Sequence, residues 1–86
     1  MDKSNESFRE LLDNSNTYPT LYLFKFIVPN GKLEEVYTIF PNQQVSEKPS
    51  KTGKYVSTSI KMKVSSTDEI MALYTRAAKI EGIISL

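Results

Sequence analysis

The sequence predicts an α+β domain: a four-stranded antiparallel sheet with two long helices on one face and an extra short helix at the N-terminus. Three observations predict it. The run Lys54–Val64 alternates strictly, with Val56, Thr58, Ile60, Met62 and Val64 facing one way and Tyr55, Ser57, Ser59, Lys61 and Lys63 the other. Such period-two patterning with β-branched residues marks a half-buried antiparallel strand. Tyr18–Val28 is a second extended run, apolar on both faces, as a central strand requires. Two further stretches, Gly31–Phe40 and Ser66–Ile80, carry apolar residues at helical spacing.

Each element can be justified in order. Met1–Glu6 is polar and expected to be disordered. Ser7 and Glu10 have the spacing of a capping box, and Phe8, Leu11 and Leu12 fall at i, i+3 and i+4. Residues 7–13 are therefore expected to form a short helix, which needs a docking surface because helices of this length are marginal alone. In the first strand Tyr22, Phe24, Phe26 and Val28 share one face, and Leu21, Leu23, Lys25 and Ile27 the other. Lys25 marks the second face as the less buried. Pro29, Asn30 and Gly31 break the strand. Asn30 is a suitable N-cap for a helix over Gly31–Phe40 with the stripe Leu33, Val36, Tyr37 and Phe40, and Pro41 ends it.

Gln43–Lys48 reads as a short polar strand whose charges, with Pro49, suit a sheet edge. Pro49 and Gly53 belong to a hairpin loop leading into the alternating strand. Ser66 and Glu69 repeat the capping-box spacing, with Asp68 in the first turn, where the helix dipole favours an anion. Ile70, Leu73, Tyr74, Ala77 and Ile80 form the apolar stripe of the helix that follows, and Gly82 is a C-terminal stop. Ile83–Leu86 is a last short strand. A helix followed by β-α-β-β-α-β is the ferredoxin-like pattern. Both long helices would cover Tyr22, Phe24, Phe26, Val56, Ile60, Met62 and Val64, leaving the other sheet face open unless another segment covers it.

Composition narrows the chemistry. The 86 residues fit a single domain over 1–86. A domain of this size buries about 60–65% of its unfolded surface, so its stability margin is thin. There is no Cys and no His, which removes thiol chemistry and the commonest general base. Eleven Lys and Arg against ten Asp and Glu leave a net charge of +1, too little for a global pull toward nucleic acid or anionic membrane. Met1–Arg9 lacks the apolar run of a signal peptide, and no apolar stretch approaches the ~20 residues that span a bilayer. A soluble cytoplasmic protein, without a membrane partner and without a cofactor, is expected.

Three stretches together resemble the YbeD-like family of small bacterial proteins. The first is Phe8-Arg9-Glu10-Leu11-Leu12-Asp13 followed by Phe24-Lys25-Phe26. The second is Lys48-Pro49-Ser50-Lys51-Thr52-Gly53-Lys54-Tyr55 with Ser57 and Ser59. The third is Leu73-Tyr74, then Lys79-Ile80-Glu81-Gly82-Ile83 and Leu86. The resemblance covers nearly the whole chain, and Lys-Pro-Ser leading to Gly-Lys-Tyr is its most specific part. It implies a ferredoxin-like fold similar to ACT-type regulatory domains, with no established activity. The chain departs from the family pattern at Tyr18-Pro19, which follows a longer Asn-Ser linker. It departs again at Thr75–Ala78, which lacks the usual acidic residue.

Candidate chemistry is sparse. Ser57 and Ser59 have no identifiable base beside them, and exposed serines are ordinary on a wet strand face. Glu34–Glu35 and Asp68–Glu69 are sequence neighbours on helices, so the members of each pair point apart and serve the helix dipole rather than a metal. No spacing resembles a zinc or calcium site. Asn30-Gly31-Lys32 opens a helix whose free N–H groups could receive an anion, although a plain capped start explains it as well. Leu21, Leu23, Ile27 and Ile83 form an apolar stripe on the open face. Either Phe8, Leu11 and Leu12 cover it, or it is an interface with a partner or a second copy, as in a homodimer through the sheet.

The expected function is that of a non-catalytic ACT-like regulatory or interaction module that binds a protein partner or a small anionic metabolite. The expected surface is Lys48, Ser50, Lys51, Lys54, Tyr55, Ser57, Lys61 and Lys63, which joins the hairpin to the polar row of the alternating strand. The bland account of the same lysines is edge protection and solubility. The alternative function is nucleic-acid binding by the Lys48–Lys63 surface. A sheet that binds RNA stacks bases on aromatic side chains, and here only Tyr55 could do so.

Overall fold

The two period-two runs pair with each other at the centre of the sheet. The computed structural model describes residues 3–86; Met1 and Asp2, part of the segment expected to be disordered, lie outside the described residues. The elements are α1 (Lys3–Ser15), β1 (Thr20–Pro29), a 3-10 turn (Asn30–Lys32), α2 (Leu33–Ile39), β2 (Gln44–Pro49), β3 (Tyr55–Val64), α3 (Thr67–Ala77) and β4 (Ile84–Ser85). β1 and β3 are antiparallel over ten residues, from Thr20 opposite Val64 to Pro29 opposite Tyr55. β2 flanks β3 and β4 flanks β1, giving the order β2-β3-β1-β4. This is the ferredoxin-like arrangement of an α+β domain.

The core lies between the sheet and the helices. β1 supplies Phe24, Phe26 and Val28, and β3 supplies Val56, Ile60 and Val64, all buried. Val36 and Phe40 come down from the α2 side, and Ile70, Leu73, Ala77 and Ile80 from the α3 side. Phe24 meets both Phe40 and Tyr74 at ring-centroid distances of 5.2 Å. Aromatic pairs at such spacings add about 0.5–1.5 kcal/mol beyond their burial. Thr58 is the polar residue of β3 in this layer, and its hydroxyl donates to the Phe26 carbonyl at 3.2 Å, so its burial leaves no unmet bond. At the start of α3 the Ser66 hydroxyl accepts from the Glu69 amide at 3.1 Å, while the Glu69 carboxylate accepts from the Ser65 amide at 2.7 Å. The capping-box residues thus satisfy two free amides, one of them a residue earlier than the standard pattern.

Several expectations need correction. The helix after β1 is shorter than Gly31–Phe40, and Asn30 does not cap it. The Asn30 amide is drawn to the Lys54 carbonyl at 2.9 Å, which ties this corner to the hairpin and leaves a tight 3-10 turn before seven residues of α-helix. Tyr37 of its expected stripe is exposed and reaches the Glu47 carboxylate on β2 instead.

The N-terminal helix begins at Lys3, so Lys3–Glu6 are helical and the Ser7–Glu10 pair lies inside the helix rather than at its start. It also docks on the opposite side from the open sheet stripe. Leu12 is buried in the core, Phe8 packs edge-on to Tyr74 at 5.7 Å, and Leu11 is 61% exposed. The docking has a polar reason as well. The Thr67 hydroxyl donates to the Asp13 carboxylate at 2.5 Å, which leaves its oxygen to accept from the Tyr18 hydroxyl at 2.7 Å. Asp13 thereby sits at the N-terminus of α3, where a carboxylate is favoured.

Gly82, after the turn that ends α3, has φ +80, and a Cβ there would meet Pro29 Cγ at 2.8 Å. Only glycine fits both the conformation and the close approach. Among the described residues no helix is long and apolar enough to cross a membrane.

Candidate functional site

Because α1 joins the helical layer, one face of the sheet is left uncovered among the described residues. In antiparallel pairs the partner residues point to the same side, so the register identifies this face. Across β1 and β3 it pairs Leu21 with Lys63, Leu23 with Lys61, Lys25 with Ser59 and Ile27 with Ser57. β2 adds Gln44, Ser46 and Lys48, opposite Lys61, Ser59 and Ser57. β4 adds Ile84 opposite Ile27. Leu86 lies beside Lys25, to whose carbonyl its amide donates at 2.9 Å. Leu21, Leu23, Ile84 and Leu86 are exposed by 48–67%.

The hairpin forms one end of this face. The Ser50 amide donates to the Tyr55 carbonyl at 2.9 Å, the Gly53 amide to the Ser50 carbonyl at 3.0 Å, and the Tyr55 amide to the Ser50 hydroxyl at 3.3 Å. Gly53 takes φ +75 to close the loop, a conformation that side chains rarely adopt. These bonds hold the loop over the sheet and leave an open groove of about 490 Å³ lined by Ile27, Lys48, Pro49, Ser50, Lys51, Tyr55 and Ser57.

Five of the residues singled out from sequence therefore come together: Lys48, Ser50, Lys51, Tyr55 and Ser57. Lys54 is in the same loop but outside the groove, where its carbonyl serves Asn30. Lys61 and Lys63 project from the same face toward its far end, beside Leu23 and Leu21. Sequence reasoning missed Ile27 and Pro49 as groove walls. It also placed Ile83 on the open face, whereas Ile83 packs against the core and Ile84 is the outward residue. The signal for the second point is the Ile27–Ile84 register, a long-range pairing.

Charge on this face is of one sign. Lys25, Lys48, Lys61 and Lys63 rise from the strands and Lys51 from the loop, all exposed, and none of the open-face strand positions is acidic. Glu47, the acid of β2, sits opposite the buried Thr58 and points to the helical side, where it accepts from Tyr37. That bond, with burial and the charge of Glu47 behind it, holds the Tyr37 phenol above its ordinary pKa. Other acids are engaged locally: Asp68 with Arg9 at 2.5 Å and Glu35 with Lys32 at 3.5 Å. Among the described residues no three acidic side chains are grouped as a metal site would need. A smaller hollow of about 170 Å³ lies on the helical side between Glu35, Thr38, Ile39, Arg76, Lys79 and Ile80, with both charge signs in its walls.

Fold and face define a ferredoxin-like α+β domain with an uncovered, basic and partly apolar sheet. Residues 13–86 match the family described as Protein of unknown function (DUF493), and the chain belongs to that family. This bears out the resemblance to the YbeD-like family. The match begins at Asp13, so nearly all of α1 precedes it. Neither the comparison with curated proteins nor that with solved structures gave a match.

Proposed function

We propose that the protein is a non-catalytic, ACT-like interaction module whose hairpin groove binds a small anionic metabolite with an apolar body. The observation that carries this reading is the make-up of the groove. Lys48 and Lys51 offer cationic donors, Ser50, Ser57 and Tyr55 offer hydroxyls, and Ile27 and Pro49 offer an apolar wall. Such a mixture, a few convergent polar groups on an apolar floor, suits a carboxylate or phosphate ester rather than a bare ion. The absence of His and Cys from the sequence supports a role in binding rather than turnover.

The test is thermal unfolding in the presence of a panel of small carboxylates and phosphate esters. A ligand present at about ten times its Kd stabilises by about 1.4 kcal/mol, which is about 6–11 °C in a domain of this size. The shift should vanish in Lys48→Glu with Lys51→Glu and persist in Lys54→Glu, whose side chain lies outside the groove. No shift with any anion, or one indifferent to Lys48 and Lys51, would sink the reading. The gathering of five lysines on one side, Lys25, Lys48, Lys51, Lys61 and Lys63, favours a second reading, nucleic-acid binding. It would appear as affinity that falls steeply and linearly with log salt.

A further inference from the structure

We propose that the far end of the open face is a docking surface for an amphipathic helix of a protein partner, apolar along one stripe and acidic along its flank. The surface meets the hairpin groove only at Ile27; Leu21, Leu23, Lys61 and Lys63 lie outside it, so docking there does not depend on what the groove binds. Its floor is the outward row of β1, in which Lys25 stands between the pair Leu21 and Leu23 and the single Ile27, widened by Ile84 of β4. Its wall is the neighbouring row of β3, where Lys63 stands opposite Leu21 and Lys61 opposite Leu23. At Leu21 and Leu23 apolar and cationic side chains thus lie side by side one strand spacing apart, about 5 Å, while beyond them Lys25 interrupts the β1 row and Ser59 and Ser57 continue the β3 row. An amphipathic helix presents such a pair of lines, an apolar stripe with charge beside it.

The dimensions agree. Leu21 to Ile27 spans six residue steps of strand, about 20 Å, which about 13 residues of helix would cover. The sheet already accepts helices on its other face, and an exposed apolar row of this kind usually marks an interaction site.

Charge decides what sort of helix. No acidic side chain projects from the open-face positions, so an acidic flank meets lysines and a basic one meets repulsion. A second copy stacked face to face would bring a second surface bearing Lys25, Lys48, Lys61 and Lys63 against the first, with no acidic side chain on either open face to answer them. A nucleic acid would find one aromatic, Tyr55, at the other end of the face, and no arginine, since Arg9 and Arg76 belong to the helices. It would also gain nothing from Leu21 and Leu23.

The test uses the whole protein and four probes. The first is a labelled 14-residue helical peptide with leucines at i, i+3, i+4 and i+7 and glutamates on one flank. The second is the same composition scrambled to remove the stripe, the third an oligouridylate, and the fourth vesicles of phosphatidylserine and phosphatidylcholine. Binding is read by fluorescence anisotropy, or by co-sedimentation for the vesicles, and the contact is mapped by amide shifts.

The helical peptide should bind at least about tenfold tighter than the scrambled one, a difference of ~1.4 kcal/mol, and move the amides of Leu21, Leu23, Lys61 and Lys63. Lys61→Glu with Lys63→Glu, and separately Leu23→Ser, should each weaken it about tenfold or more. Lys48→Glu with Lys51→Glu, outside the docking row, should weaken it clearly less than Lys61→Glu with Lys63→Glu and leave the dependence on Leu23 in place, so that failure here and failure of the groove reading are told apart. Equal binding of the scrambled peptide, tighter binding of RNA or vesicles with no dependence on Leu23, or concentration-dependent self-association blocked by Leu23→Ser would each overturn the proposal. All three variants alter exposed side chains, and circular dichroism with a melting curve confirms that each is folded.

Discussion

Whether the sheet face is free depends on where α1 docks, and two adjacent leucines test it. Leu12 is 5% exposed and lies in the core cluster, while Leu11 is 61% exposed on the outer side of the same helix. Leu→Ala at a buried site costs about 2–5 kcal/mol, depending on how well the cavity closes. A terminal helix can settle inward, so Leu12→Ala should fall in the lower half of that range, about 2–3 kcal/mol. Total stability at this length is expected at about 4–13 kcal/mol, so the loss is large and should lower Tm by about 8–24 °C. Leu11→Ala should stay within about 0.5 kcal/mol. The assay is urea unfolding followed by tyrosine fluorescence, since the chain has no tryptophan. A fall in midpoint without a change in slope isolates stability. If Leu11→Ala costs as much as Leu12→Ala, or Leu12→Ala costs almost nothing, α1 is turned or docked elsewhere. The exposed Arg9–Asp68 pair would not distinguish these cases, because surface ion pairs contribute about 0–1 kcal/mol.

Two further outcomes are expected. Phe26→Ala empties a fully buried site between Phe24, Phe40 and Tyr74 and should cost about 3–5 kcal/mol in the same urea titration, a loss under about 1 kcal/mol being incompatible with this core. Burial, with the Tyr22 hydroxyl bonded to it at 3.0 Å, pushes the Tyr74 phenol well above 10.0, so the folded state holds its proton more tightly than the unfolded chain. Its contribution is therefore whole below pH 10.0 and declines as pH rises past that value, and Tyr74→Phe should flatten this part of the stability–pH curve relative to the parent.

Much of the fold was legible because it is local. Alternation in Tyr55–Val64 and in the Tyr22–Val28 row reports burial directly, and the buried residues are those the period selects. Ser66 and Glu69 announced the start of α3 for the same reason. The misreadings are of things no short window contains. Phe8, Leu11 and Leu12 declare an apolar helix face but not which of two apolar surfaces it will meet. The choice is made by Tyr74 and Thr67, more than fifty residues away. Asn30 is a good cap in isolation, but it lies within the 3-10 turn, its backbone amide bonded to the Lys54 carbonyl across the corner, and α2 begins only at Leu33. The groove was half legible: Lys48, Ser50, Lys51, Tyr55 and Ser57 stand in one hairpin, but Ile27 reaches them only through the β1–β3 register.

The electrostatics carry the same lesson further. A net charge of +1 argues against any strong attraction, and as a statement about the whole molecule it is correct. Yet the charges are not mixed. Alternation in β3 sends Lys61 and Lys63 outward with Tyr55, Ser57 and Ser59, and the pairing of β2 sends Lys48 the same way and Glu47 the other. The helices hold acids in their first turns, where their dipoles favour them: Glu6 in α1, Glu34 and Glu35 in α2, Asp68 and Glu69 in α3. One local rule places lysines on a wet strand face and another places carboxylates at helix starts, and a ferredoxin-like fold puts strands and helices on opposite sides. Their conjunction separates charge across the domain without altering the total. What approaches the sheet therefore meets a field set by lysines within about one Debye length, roughly 8 Å at physiological salt, in which the carboxylates behind the helices are largely screened. For this chain it is that local field, not the net charge, on which the proposal of an acidic partner rests.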